Sequence, residues 1–162
     1  MTSAVESLRF PSPRGQRLAA CLHRPADRTP VGAVVVAHGM LSSKDSPKHQ
    51  ALADRLAVAG FAALRFDFTG LGESEGSQET LTVSREIEDL RAALQLLEDL
   101  LGLPAAVVGS SLGGTVAVLA AADRDDLRAL VTISAPARLP HQPHASWDHG
   151  RGRNGDGRVE VA

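Results

Sequence analysis

Ser111 stands in "AAVVGSSLGGTVAVLAAA", residues 105–122, between Gly109 and Gly113 in the pattern G-x-S-x-G. A buried strand runs into this serine and a helix of small residues runs out of it. That strand–turn–helix setting projects a hydroxyl from a tight turn, as a nucleophile for acyl transfer requires. Such chemistry also needs donors for an oxyanion. The backbone N–H of Leu112, at the start of the helix, is one candidate. The loop in "VVVAHGMLSSKDS" supplies a second, because Gly39 lets the chain turn and point the Met40 N–H at the site. A serine further needs a base, ordinarily a histidine held by a carboxylate. His38 precedes the serine, against the Ser…Asp…His order of this elbow type, and is read as ordering its loop through hydrogen bonds. His141, His144 and His149 follow the serine, with Asp148 beside His149, but they fall in a segment unfit for regular structure. The general base stays unassigned.

"DFTGLGESEG" offers a competing reading. Gly70, Gly72 and Gly76 follow a strand, and Asp89 lies about 20 residues beyond the first of them, as in a dinucleotide site. The spacing G-x-G-x-x-x-G departs from that fingerprint, and the glycines lead into "SQETLT" rather than straight into a helix. No cofactor or metal is expected.

These residues need elements to hold them. "SLRFPS" and "QRLAACLH" flank "PRG" and predict a hairpin, with Leu18, Ala20 and Leu22 alternating on one face. "VGAVVVAHG" and "FAALRFDF" are apolar enough to be strands covered on both faces. Ser46-Pro47 predicts the start of a helix running through Leu52, Leu56 and Ala59 to Gly60. Ile87, Leu90, Leu94, Leu97 and Leu101 recur at 4/3 spacing and predict the strongest helix. "ALVTISA" is a final strand. A hairpin followed by alternating strands and helices implies an α/β fold: a mostly parallel sheet with helices on both faces. Val34, Val36, Leu64, Phe66, Val107 and Ile133 are expected to be buried in it.

The 162 residues suffice for one domain with a core. Hydrophobic content of 43%, charge of 22% and a net charge of −2 give no electrostatic preference for nucleic acid or a membrane surface. Cys21 is the one cysteine, so no intrachain disulfide can form, and it is read as a small core residue. With no basic-then-apolar N-terminus and no long apolar run, the expected location is cytoplasmic.

"HGMLSSKDS", "LRFDFTGLGESEG" and "VVGSSLGG", in that order and spacing, resemble the α/β-hydrolase superfamily. The likeness, from about Leu8 to Arg138, is to small bacterial esterase-like or serine-aminopeptidase-like hydrolases, including the hydrolase half of hydrolase–OsmC fusions. It implies Ser111 as nucleophile, the Met40 and Leu112 amides as oxyanion hole, and a loop-shaping role for Asp67 to Ser74. It implies hydrolysis of an ester, thioester or amide of a small-molecule acyl substrate through an acyl-serine intermediate. The family's acid and histidine follow later strands, yet fewer residues than the ~30 of a βαβ unit follow Ser134. The expected organisation is therefore a hydrolase core over 1–139, truncated after about the sixth strand, and a disordered tail over 140–162. The expected consequences are impaired catalysis and a bare sheet edge open to self-association. Two alternatives are a non-catalytic domain binding a partner through that edge, and a fragment that barely folds.

Overall fold

The computed structural model describes residues 3–136. The strands are β1 (Ser3–Pro11), β2 (Arg17–Pro25), β3 (Ala33–Ala37), β4 (Ala62–Phe66), β5 (Ala105–Ser110) and β6 (Leu130–Ile133). The helices are α1 (Pro47–Val58), α2 (Val83–Leu101) and α3 (Leu112–Ala121). The six strands form one sheet in the order β1-β2-β4-β3-β5-β6. The β1–β2 and β2–β4 pairings are antiparallel; β3–β4, β3–β5 and β5–β6 are parallel.

This order fixes where the helices go. A crossover between parallel strands is right-handed. The step from β3 to β4 runs one way across the sheet, while those from β4 to β5 and β5 to β6 run the other way. Helix α1 therefore covers one face, and α2 and α3, which pack on each other, cover the opposite face. The loops leaving β3 and β5, neighbouring strands, part to opposite faces. That divergence is the switch point at which α/β sheets open a crevice beyond their strand C-termini.

The core is aliphatic, as the shortage of aromatic residues requires. Leu18, Leu22, Val35, Leu64, Leu90, Leu94 and Leu97 are fully buried, with Phe66 and Phe68 edge to face at 4.8 Å between ring centroids. Helix α2 buries the expected Leu90, Leu94 and Leu97, and Gly102 ends it in the left-handed region at φ 61°.

Two expectations are corrected, and one is extended. Ile133, expected in the core, is 48% exposed, because β6 is the outermost strand of the described sheet and all four of its residues are open. Val34, Val36, Leu64, Phe66 and Val107 are buried as expected. On β2, Ala19, Cys21 and His23 are as buried as Leu18, Ala20 and Leu22, since α1 packs on the second face. Helix α1 ends at Val58 and buries Ala53, Ala57 and His49, leaving Leu52 and Leu56 only half-buried. The expectations for residues 137–162, including the tail boundary and His141, His144, Asp148 and His149, lie outside the described residues.

Candidate active site

Two structural facts bring the predicted residues together. The β3–β5 register pairs Ala37 with Gly109, and two further residues along each strand bring Gly39 beside Ser111. There the backbones approach so closely that a Cβ on Gly39 would lie 3.0 Å from the Ser111 Cβ and 3.5 Å from its Oγ. Similarly, a Cβ on Gly109 would strike the Gly113 carbonyl, and one on Gly113 the His38 carbonyl. The glycines of the motif are thus demanded by the packing of α3 onto β3 and β5.

Ser111 itself has φ 54° and ψ −123°, outside the regions a residue with a Cβ usually occupies. It is exposed, and its hydroxyl makes no hydrogen bond among the described residues. Its N–H donates to the Ile133 carbonyl at 2.9 Å, which ties the turn to the end of β6. Its carbonyl accepts from the Gly114 N–H at 2.9 Å and opens α3. Leu112 is the first residue of that helix, so its N–H has no acceptor within the helix. Met40 follows Gly39 in a turn closed by the Ser42 N–H donating to the Gly39 carbonyl at 3.2 Å, with Leu41 at φ 55°. Among the described residues, neither the Met40 nor the Leu112 N–H donates to a backbone carbonyl.

A dense polar network holds the surrounding loops. Asp67 is fully buried; its Oδ1 accepts from the Lys44 N–H at 2.6 Å and its Oδ2 from the Glu73 N–H at 2.9 Å. The Ser74 hydroxyl donates to the Asp67 carbonyl at 2.6 Å. The Lys44 ammonium donates to Asp45 and Glu73 at 2.6 Å each and lies 3.3 Å from Asp67. Burial opposes its charge, but these carboxylates outweigh burial and hold it above its ordinary value. Arg65, also buried, donates to Asp45 at 2.6 Å and to His23 at 2.8 Å. Asp67 to Ser74 therefore shapes the loop, as the resemblance implies. Asp89 does likewise: its carboxylate accepts from the Thr69 N–H at 2.8 Å, and Thr82, not the glycine loop, caps α2.

None of the described histidines bonds to Ser111. His38, 1% exposed, donates from Nδ1 to the Gly39 carbonyl at 2.8 Å and accepts at Nε2 from the Phe68 N–H at 3.3 Å. Both nitrogens are committed to the loop, and burial holds its pKa below the ordinary imidazole value. His23 donates from Nδ1 to Asp54 at 2.9 Å and accepts from Arg65. His49 is buried, with Nδ1 on the Ser43 carbonyl at 3.1 Å and beside the Ser46 hydroxyl at 2.6 Å. Burial lowers both of their pKa values as well.

One feature went unread in the sequence: the Lys48 ammonium donates to the Ser110 hydroxyl at 3.0 Å. The available signal was a lysine in the first turn of a helix, where the dipole disfavours a cation.

A family model described as serine aminopeptidase, S33, matches residues 28–150. Human "Palmitoyl-protein thioesterase ABHD10, mitochondrial" is 32% identical over 105 residues, 64% of this chain and 33% of that protein. "Quorum-quenching protein AidA" of Acinetobacter baumannii is 31% identical over 120 residues, 72% of this chain and 39% of that protein. The crystal structure of hypothetical protein PA2218 from Pseudomonas aeruginosa superposes with a TM-score of 0.76 at 26% identity, covering 83% of this chain and 43% of that one. The chain thus spans about a third of the length of the curated relatives it matches.

Proposed function

The chain belongs to the serine aminopeptidase, S33, family of α/β-hydrolases, and from that membership we propose that it cleaves ester or thioester bonds through an acyl-Ser111 intermediate. The observation that carries this reading is the backbone of Ser111. A serine forced to φ 54° between a strand and a helix, with its hydroxyl exposed, is a costly arrangement that core packing alone does not call for.

The step is ordinary acyl transfer. Ser111 Oγ bonds to the substrate carbonyl carbon and gives up its proton. The carbonyl oxygen becomes an oxyanion, supported by the Met40 N–H in the turn after β3 and the Leu112 N–H at the N-terminus of α3. The bond to the leaving oxygen or sulfur breaks, the leaving group takes a proton, and water then releases the acid from the serine. The thioester reading draws on the thioesterase relative, and the ester reading on the family resemblance. With both ring nitrogens of His23 and His38 committed elsewhere, and His49 held through Nδ1 at Ser43 and Ser46 with its Nε2 unpaired among the described residues, no described imidazole is bonded to Ser111 as a base. Losing a triad member costs about 10⁴–10⁶ in kcat, while an oxyanion hole and binding retain roughly 10³–10⁴ over water. Slow turnover is therefore the expected behaviour of these residues.

The test is steady-state hydrolysis of a p-nitrophenyl short-chain ester, together with labelling by a fluorophosphonate. Slow hydrolysis and labelling are expected, both lost in Ser111→Ala. Hydrolysis indifferent to Ser111→Ala would sink the reading. It would favour instead a domain that binds a partner through β6, a reading motivated by the exposure of Val131 and Ile133.

A further inference from the structure

We propose that Lys48 reads charge at the Ser111 site and gives it a preference for acyl groups bearing a carboxylate a few carbons from the reacting carbonyl. This rests on Ser111 as nucleophile, and it deepens that reading by naming a substrate class.

The placement of Lys48 is hard to explain by stability. It lies in the first turn of α1, where the helix dipole disfavours a cation by roughly 0.3–1 kcal/mol. No acidic residue in that turn offsets it. Its neighbours are treated differently: Lys44 is surrounded by Asp45, Glu73 and Asp67, and Arg65 is paired with Asp45. Among the described residues Lys48 forms an ion pair with none. Its ammonium crosses instead from α1 to the C-terminal end of β5, where it meets the hydroxyl of Ser110, which is 7% exposed. The result, among the described residues, is an exposed side chain whose positive charge has no carboxylate partner, beside the residue that precedes the nucleophile.

Geometry sets the reach. Consecutive Cα atoms are about 3.8 Å apart and a serine Oγ stands about 2.4 Å from its Cα, so the ammonium lies within ~12 Å of the Ser111 hydroxyl. A carboxylate some three to six carbons beyond an ester carbonyl spans that distance. The N-terminus of α3 meets the same corner and adds to the positive potential. Met40 and Leu41, 49% and 67% exposed on the adjoining loop, offer apolar surface to the methylenes between the two ends of such an acid.

The experiment uses the full chain and two substrates of equal chain length, the methylumbelliferyl esters of hexanoic acid and of adipic acid, the second carrying a free carboxylate. Wild type is compared with Lys48→Met, Lys48→Glu and Lys48→Arg. The anionic-over-neutral ratio of kcat/KM is expected to fall about fivefold in Lys48→Met, mainly through KM for the adipate ester. It should fall further in Lys48→Glu and recover in Lys48→Arg. A purely structural role through Ser110 would depress both esters together and leave the ratio unmoved, which would overturn the inference. A second arm titrates monomethyl adipate into Ser111→Ala by calorimetry, with and without Lys48→Met; binding that weakens in the double variant supports the charge site independently of turnover. Ser111-dependent hydrolysis with charge-blind kinetics and binding defeats Lys48 alone. Charge-selective binding without Ser111-dependent hydrolysis defeats the hydrolase reading alone. Charge-blind binding without hydrolysis defeats both.

Discussion

Ser111 is held at φ 54°, ψ −123° by bonds on both sides: its N–H to the Ile133 carbonyl and its carbonyl to the Gly114 N–H. A glycine takes such angles without the clash a Cβ creates, whereas alanine inherits it. The two replacements should therefore separate activity from stability. Both remove the nucleophile, but Ser111→Gly is expected to be about 1 kcal/mol more stable than Ser111→Ala, even after glycine's greater unfolded-state entropy is counted. Urea unfolding of the two variants measures it; equal midpoints would show that the turn stores no strain. His38 illustrates the opposite fate of a chemically able residue. With both ring nitrogens hydrogen-bonded and its ring against Phe68 at 5.0 Å, it braces the Gly39 turn.

Among the elements, β6 departs most from the rest of the sheet. It pairs with β5 along one edge, and Leu130, Val131 and Ile133 are 37%, 49% and 48% exposed. On neighbouring α3, Val118 and Leu119 are 48% and 42% exposed. An apolar edge with unpaired N–H and C=O groups is a template for strand addition, and natural edges are blunted by charge, especially lysine. Self-association through this edge is the expected behaviour. In light scattering, the apparent mass should rise with concentration and return toward one chain in Val131→Lys/Ile133→Lys. A wild type that stays monomeric at high micromolar concentration would refute it.

For the molecule as a whole, buried titratable groups make stability depend on pH in opposing ways. His23, His38 and His49 have pKa values lowered chiefly by burial. Below the unfolded value near 6.5 the unfolded chain binds more protons, so these residues make stability fall as pH falls. Glu86 does the reverse. It is 3% exposed, and burial, with help from the Asp89 charge, pushes its pKa up to about 7. Between its unfolded value, about 4.5, and 7 the folded chain binds more protons, so its contribution is lost as pH rises. Glu86→Gln should thus stabilise the protein by about 2 kcal/mol at pH 8 and by little at pH 4.5, and should steepen the loss between pH 7 and 5. Denaturant titrations of both proteins at three pH values measure this; a benefit independent of pH would show that Glu86 does not titrate in this range.

The sequence by itself determined the elements, their order and the fold class, because each signal is local. Continuous β-branched runs mark strands covered on both faces, the 4/3 spacing of Ile87 to Leu101 marks α2, and Gly109, Ser111 and Gly113 mark a turn where backbones must nearly touch. That the Gly39 loop borders the site was legible from Gly39 as a turn residue after a neighbouring strand, but its close approach to Ser111 comes from the β3–β5 register. Other features were settled only by tertiary structure. Ile133 reads as core in any local pattern, but whether an apolar strand is buried depends on what lies beyond it, and among the described residues no strand lies beyond β6. The commitment of His38 to Gly39 and Phe68, and of His23 to Asp54 and Arg65, spans up to 42 positions of chain and leaves no local trace. Lys48 and Ser110 are 62 positions apart and meet because α1 begins where β5 ends. Periodicity records the face a residue presents to its own element; its partner across the fold depends on the register and order of strands, which the packed sheet alone decides.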